Sequence, residues 1–151
     1  MNIQFIKSKE KQQIAGQLNE DFGISELNYL LIESGKEKIR GFSGSLSKEE
    51  IMKLGKLANI ELIGAYLIKK ESKTDLRLSF DACIILKDQI TKNIVEIDDE
   101  KFNSWIRGND IEVSGISGNP IVKYKEDFFG CGKSNGIKIF NYVPKDRRLR
   151  K

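Results

Sequence analysis

The sequence predicts an α+β protein, mixed in its first half and mostly β with one helix in its second. Three observations carry this. Apolar residues recur at helical spacing in Ile14, Leu18 and Phe22, and again behind Ser47 and behind Asp98. Between the helices lie short runs such as Leu76-Arg77-Leu78-Ser79-Phe80, with the strict alternation of a half-buried strand. From Asp110 onward, short β-prone runs are separated by Gly, Ser, Asn and Asp, with no further helical stripe.

The elements follow in order. Asn2 to Lys7 alternates Ile3 and Phe5 with polar Gln4 and reads as a short strand or extended arm. Ser8 is placed to cap a helix from Lys9 to Phe22, which Gly23 ends. Leu27 to Glu33, centred on Tyr29-Leu30-Leu31-Ile32, pairs with Lys38 to Ser43 as a hairpin across the turn Ser34-Gly35-Lys36. Ser47 and Glu50 have the spacing of a capping box, each side chain bonding the other residue's backbone N–H. The helix behind them runs to Leu57 and is expected to bury Ile51, Leu54 and Leu57. Glu61 to Lys69 and Leu76 to Phe80 form a second hairpin, followed by a short buried helix from Phe80 to Leu86 carrying Cys83.

The polar stretch Lys87 to Lys92 is the best domain boundary, although its composition is not that of a flexible linker. Residues 1–88 then form the first unit and residues 92–151 the second. Asn93 to Ile97 is a strand. Asp98 caps a helix whose first-turn Asp99 and Glu100 suit the dipole, and whose buried face is Phe102, Trp105 and Ile106, with Gly108 as its stop. Asp110 to Val113, Ile121 to Tyr124, Phe128 to Cys131 and Ile137 to Val143 complete the strands, and Pro144 ends the last.

Composition narrows the chemistry. With 39% hydrophobic and 32% charged residues, the 151-residue chain is globular with a heavily solvated surface. No apolar run approaches the ~18 residues that span a membrane, and the start of the chain lacks the apolar core of an export signal. The two cysteines, Cys83 and Cys131, read as reduced thiols of a cytoplasmic protein. There is no histidine, which removes the commonest general base and zinc ligand. Residues 145–151 hold Lys145, Arg147, Arg148, Arg150 and Lys151 against Asp146, so they carry the whole net charge of +4. Such a tail is either a solvated end or a contact for a polyanion. Leu149 within it implies partial packing, which would fix the flanking guanidinium groups for phosphate recognition.

Gly130-Cys131-Gly132-Lys133-Ser134 invites a phosphate-loop reading. The full motif requires a glycine where the chain has Asp127, and a helix where it has Asn135-Gly136 and a β-prone run. A glycine-containing strand entering a turn is the better account, with Lys133 as a phosphate contact at its end. Cys131 is expected to be a semi-buried strand residue rather than a nucleophile, and Cys83 a core residue. Asp98-Asp99-Glu100 reads as a helix start, not a metal site. No carboxylate pair or serine has the partners that acid–base or nucleophilic catalysis needs, so no catalytic residue, cofactor or metal is assigned and the chain is not expected to be an enzyme. Arg107 and Asn109, either side of Gly108, suit contacts to a nucleic-acid backbone.

Residues Asn93 to Val143 resemble a PUA domain, the RNA-binding module of pseudouridine synthases and archaeosine transglycosylases. The resemblance lies in Asn93-Ile94-Val95-Glu96-Ile97, in Trp105-Ile106-Arg107-Gly108-Asn109-Asp110-Ile111 with Ser114-Gly115-Ile116 after it, and in Phe129-Gly130-Cys131-Gly132-Lys133-Ser134. The first part is similar in layout to the pre-PUA domain of small archaeal and eukaryotic ribosome-biogenesis factors. Asn141-Tyr142-Val143-Pro144-Lys145-Asp146-Arg147-Arg148 resembles the C-terminal part of Sun-family rRNA cytosine-5 methyltransferases. The resemblance implies a pre-PUA α+β domain followed by a PUA-like β pseudo-barrel that binds RNA between the helix-end loop and the last strand. It departs from the pattern between Ile116 and Asp127, where there is room for one strand, and no methyltransferase domain is present.

The function expected is therefore binding of rRNA or tRNA, as an accessory factor in ribosome biogenesis, rRNA processing or RNA modification. The contacts expected are Arg107, Gly108, Asn109, Lys133, Lys145, Arg147, Arg148, Arg150 and Lys151. The alternative is a protein-interaction adaptor for an RNA-modifying enzyme, such as an rRNA or tRNA methyltransferase, or for an assembly factor. A nucleotide- or thiol-dependent enzyme is the third reading, resting on Gly132-Lys133-Ser134 and Cys131. Neither a membrane nor a metal is an expected partner.

Overall fold

The computed structural model describes residues 3–35, 37–58, 60 and 62–150. The expectations that fall on Asn2, Lys36, Glu61 and Lys151 lie outside the described residues. The chain is α+β, as its periodicities predict.

The first half is built on an antiparallel sheet whose strands follow chain order: β1 (Gln4–Phe5), β2 (Leu30–Ser34), β3 (Lys38–Phe42), β4 (Ala65–Lys70) and β5 (Leu76–Leu78). Both expected hairpins form, β2 with β3 and β4 with β5. Helix α1 (Ser8–Phe22) buries Ile14, Leu18 and Phe22 in one cluster with Leu31, Ile39 and Leu67 from the sheet. Ser8 is its first helical residue and not its cap; the capping position falls on Lys7, with no side-chain bond.

Helix α2 (Lys48–Leu57) begins with the expected capping box between Ser47 and Glu50. Its apolar face is shallower than the sequence suggests. Ile51 is buried, but Leu54 is 44% exposed and Leu57 85%. At ~100° per residue these side chains point roughly 60° and 120° away from Ile51, and only the Ile51 direction is covered. Helix α3 (Phe80–Ile85) starts at Ser79, whose hydroxyl accepts from the Ala82 amide (3.0 Å) and donates to the Tyr66 carbonyl (2.6 Å).

The polar stretch between the halves is anchored. The Gln89 side-chain oxygen accepts from the amides of Ser25 (3.1 Å) and Glu26 (2.8 Å), and the Thr91 amide donates to the Phe22 carbonyl at 2.8 Å.

The second half holds β6 (Ile94–Glu96), α4 (Asp99–Ile106), β7 (Ile111–Glu112), β8 (Ile121–Tyr124), β9 (Asp127–Cys131), β10 (Lys133–Ser134) and β11 (Lys138–Phe140). Two three-stranded sheets form, in the orders β6-β8-β9 and β10-β11-β7, and the β6–β8 pair is parallel. The chain passes from one sheet to the other at Gly132. A Cβ there would meet Ile139, the Phe140 carbonyl at 2.8 Å and the Trp105 ring at 3.0 Å, so close packing at the corner requires glycine. Lys133–Ser134 forms a short strand of its own, beyond the expected strand Phe128 to Cys131. The last strand is shorter than expected because the Asn141 side chain accepts the Val143 amide (2.8 Å) in place of a ladder partner.

Asp98 caps α4 as predicted, its carboxylate accepting the Lys101 amide at 2.8 Å. Trp105 is fully buried between the sheets, with Val95 and Val122 from one and Ile111 and Ile139 from the other, and its indole N–H donates to the Phe129 carbonyl at 2.6 Å. Phe102 and Ile106, expected in the same buried face, are only half-buried. Phe102 lies at the margin, stacked on Tyr124 with centroids 3.9 Å apart. The other apolar cluster crosses between the halves: Ile121, Phe128 and Cys131 pack with Leu76, Leu78, Ala82 and Cys83.

Candidate functional site

The basic end of the chain is folded back onto the end of α4. After Pro144, Lys145–Arg147 make one 3-10 turn, and the Leu149 amide donates to the Ile106 carbonyl at 2.8 Å. Arg148 completes the clasp. Its Nε donates to the Val143 carbonyl (2.9 Å), and its guanidinium lies over Gly108. A Cβ at Gly108 would stand 2.6–2.7 Å from Arg148 Nε, Cδ and Cζ, and Gly108 has φ +96°. Only glycine accepts both the conformation and the close approach. The Leu149 side chain, expected to pack and anchor the tail, is not its main anchor. It is 55% exposed, and the Leu149 backbone and Arg148 do the fixing.

Asn141, which the sequence marks only as the start of the Sun-like ending, has a positioning role of its own. Its Nδ2 donates to the carbonyls of Trp105 (2.7 Å) and Asn109 (3.0 Å), while its own amide donates to Asp110 Oδ1 at 2.8 Å. It therefore ties the helix-end loop to the segment that leads into the tail. The signal was available, since it is an amide side chain interrupting an apolar run. Arg107, beside the clasp, is bonded through Nε to Asn103 Oδ1 at 3.2 Å, a dipole that leaves its charge uncompensated. Lys145 and Arg150 are exposed. The structure thus brings Arg107, Gly108, Asn109 and Arg148 together.

Two other predicted contacts face the first half instead. Lys133 Nζ lies 2.7 Å from Glu71 Oε2 and 3.6 Å from Asp75 Oδ2. The bond to Glu71 is the main reason its ammonium titrates above the ordinary lysine value. Asp75 is held below the usual carboxylate value, first by the hydrogen bond from Asn119 Nδ2 (2.8 Å). Arg147 pairs with Asp81 at 2.9 Å. Both cations are partly neutralised by carboxylates where they stand.

The Gly-Lys-Ser segment and the two thiols stand as follows. Gly130 to Ser134 spans β9, the Gly132 corner and β10, with no helix N-terminus behind it. Cys131 Sγ lies 3.2 Å from the Asn119 carbonyl, and burial pushes its thiol up to about 12. Burial also holds the Cys83 thiol well above its ordinary value. Neither supplies a thiolate near neutral pH. Asp99 accepts from the Tyr124 hydroxyl at 2.6 Å. Among the described residues no cluster of three metal-ligating side chains forms, and no helix is long and apolar enough to cross a membrane.

Residues 92–149 match the family described as the methyltransferase RsmF PUA domain. The match bears out the PUA resemblance of this segment and its relation to the C-terminal part of Sun-family methyltransferases. It covers the clasp, the Gly132 corner and the tail through Leu149. No curated protein matches the chain.

Proposed function

We propose, from the PUA match of residues 92–149, that this protein binds RNA on the face where the tail closes over the end of α4. It acts as an accessory factor for rRNA or tRNA, in ribosome biogenesis, rRNA processing or RNA modification, in the cytoplasm, and without catalysis of its own. The observation that carries the reading is the Arg148–Gly108 clasp. It holds the Arg148 guanidinium at a fixed position beside Arg107 and the Asn109 backbone. Fixed cations pay less ordering entropy when they meet phosphates than free ones. The burial of both thiols speaks against a thiol-dependent activity.

The test is a salt titration of binding to structured rRNA and tRNA fragments. Arg148→Ala is expected to weaken binding about tenfold and to lower the slope of log K against log salt by about 0.7–0.9. Lys133→Ala, whose ammonium already serves Glu71, should change affinity less than twofold. Binding that ignores salt, or is unchanged on removing residues 145–151, would sink the reading.

A protein-interaction adaptor is the second reading, with the first half, a pre-PUA domain, docking on an RNA-modifying enzyme or assembly factor. It is favoured by the apolar groove beside α2 lined by Phe42, Leu46, Ile51, Leu54 and Leu62. Recovery of such a factor after nuclease treatment, lost with Leu54→Asp, would support it; recovery unchanged by that substitution would not.

A further inference from the structure

Tyr142 lies one residue before Val143, whose carbonyl receives Arg148, so it adjoins the clasp. The Arg77 guanidinium, from β5 in the other half, lies 3.6 Å from its ring centroid. One face of the ring is therefore covered by a cation, yet the residue is still 43% exposed, so the remaining surface is presented outward. Arg77 is itself nearly enclosed, with 12% of its side chain exposed. Its Nη1 has no hydrogen-bond partner among the described residues. The nearest carboxylate oxygen, Glu71 Oε1, is 3.7 Å away, beyond hydrogen-bonding reach, and the other oxygen of Glu71 serves Lys133. A buried guanidinium nitrogen without an acceptor is uncommon in folded proteins and calls for an explanation, although the Tyr66 hydroxyl hydrogen-bonds the same side chain.

Beside the pair opens a cleft of about 80 Å³, with Arg77, Tyr66, Phe80, Asp81, Tyr142 and Pro144 in its walls. Burial raises the Tyr66 pKa, so its hydroxyl stays neutral and able to donate. Asp81, the acid in the lining, is paired with Arg147. An aromatic ring backed by a guanidinium, next to donors and a neutralised acid, suits a nucleotide better than a peptide carboxylate. Each base has a π-face for the ring, and its phosphate has oxygens for the cation.

We propose that the Arg77–Tyr142 cleft seats one unpaired nucleotide of the bound RNA, its base stacked on the outward face of Tyr142 and its phosphate beside the Arg77 guanidinium. The proposal rests on the RNA-binding reading and adds a preference for RNA in which a single strand adjoins a structured part. Both halves contribute to the seat, so it is not a property of residues 92–149 alone.

The test compares the full chain binding a blunt RNA duplex with the same duplex carrying a short single-stranded extension that contains 2-aminopurine. The extension should tighten binding about tenfold and quench the 2-aminopurine. Tyr142→Phe, which keeps the ring, should preserve both effects. Tyr142→Leu and Arg77→Gln should abolish them, while Arg148→Ala weakens blunt and extended RNA equally. Should Arg77→Gln fail to fold, the Tyr142 pair carries the comparison, since that side chain is at the surface. A folded Tyr142→Leu protein that still prefers the extension overturns the nucleotide seat. So does adenosine 5′-monophosphate bound in a way that RNA does not displace, which would assign the cleft to a free nucleotide. Loss of the preference with intact blunt-duplex binding leaves the RNA-binding face standing; no binding to either RNA overturns both.

Discussion

Arg148 and Lys133 are both cations of the PUA segment, and their fates differ. Arg148 is held by a carbonyl and by the open space over a glycine. Lys133 is held by two carboxylates from the other half of the molecule. A carbonyl orients a guanidinium without cancelling its charge, whereas a carboxylate does both. The availability of a surface cation to a polyanion therefore depends on the kind of partner that fixes it, more than on its place in a basic run. Arg147 shows how local this is. It is adjacent to Arg148 in sequence, yet its partner is Asp81, a charge.

The comparison breaks most completely at Gly108. Gly108→Val forces a β-branched residue into φ +96° and into the Arg148 guanidinium. It should cost about 1–3 kcal/mol from backbone strain alone, read as a lower unfolding temperature. Hydrogen exchange at the Leu149 amide should rise as the tail detaches, and RNA affinity should fall at least as far as with Arg148→Ala. An unchanged Leu149 amide would mean the clasp is not what holds the tail.

A smaller effect, of opposite sign, tests the other side. Asp81→Asn leaves Arg147 in place without its counter-charge. RNA affinity should rise two- to threefold, about 0.5 kcal/mol, in line with an exposed ion pair, and the salt dependence should steepen. No change in either would place Arg147 away from the RNA.

The smallest effect concerns acid. Asp75 titrates below the ordinary value of 3.8 in the fold, first because Asn119 donates to it. The associated stability is complete above pH 3.8 and is lost as pH falls through the lower folded value. Asn119→Ala should therefore flatten the acid-induced drop in stability below pH 3.8 and leave the profile between pH 5 and 8 parallel to that of the unaltered protein. A drop of unchanged steepness would show that Asn119 is not the main cause.

What could be read from the sequence was whatever local chemistry decides. The capping residues Ser47 and Asp98, the alternation through Leu76 to Leu78 and the stripe ending at Phe22 all depend on near neighbours, and each marked its element. The depth of burial of α2 did not follow, because Leu54 and Leu57 have the right spacing but no element among the described residues covers them. The sheet change at Gly132 and the parallel β6–β8 pair also depend on remote partners. So it was with the site. Gly108 and its flanking residues stood out as a helix end in the PUA pattern. That Arg148 lies on Gly108, that Lys133 turns to Glu71, and that Arg77 reaches Tyr142 are contacts between distant residues, with no trace in local composition.

The apolar cluster containing both Cys83 and Cys131 interlocks the halves. Arg77, carried by β5 in the first half, and the clasp, carried by the second, are thereby set at a fixed distance. An RNA touching both meets a gauge rather than a pair of independent grips. Fragments whose single-stranded start falls one nucleotide too early or too late relative to the structured part would satisfy one contact at the expense of the other. In this way the molecule would measure where a helix ends without reading the base at that point.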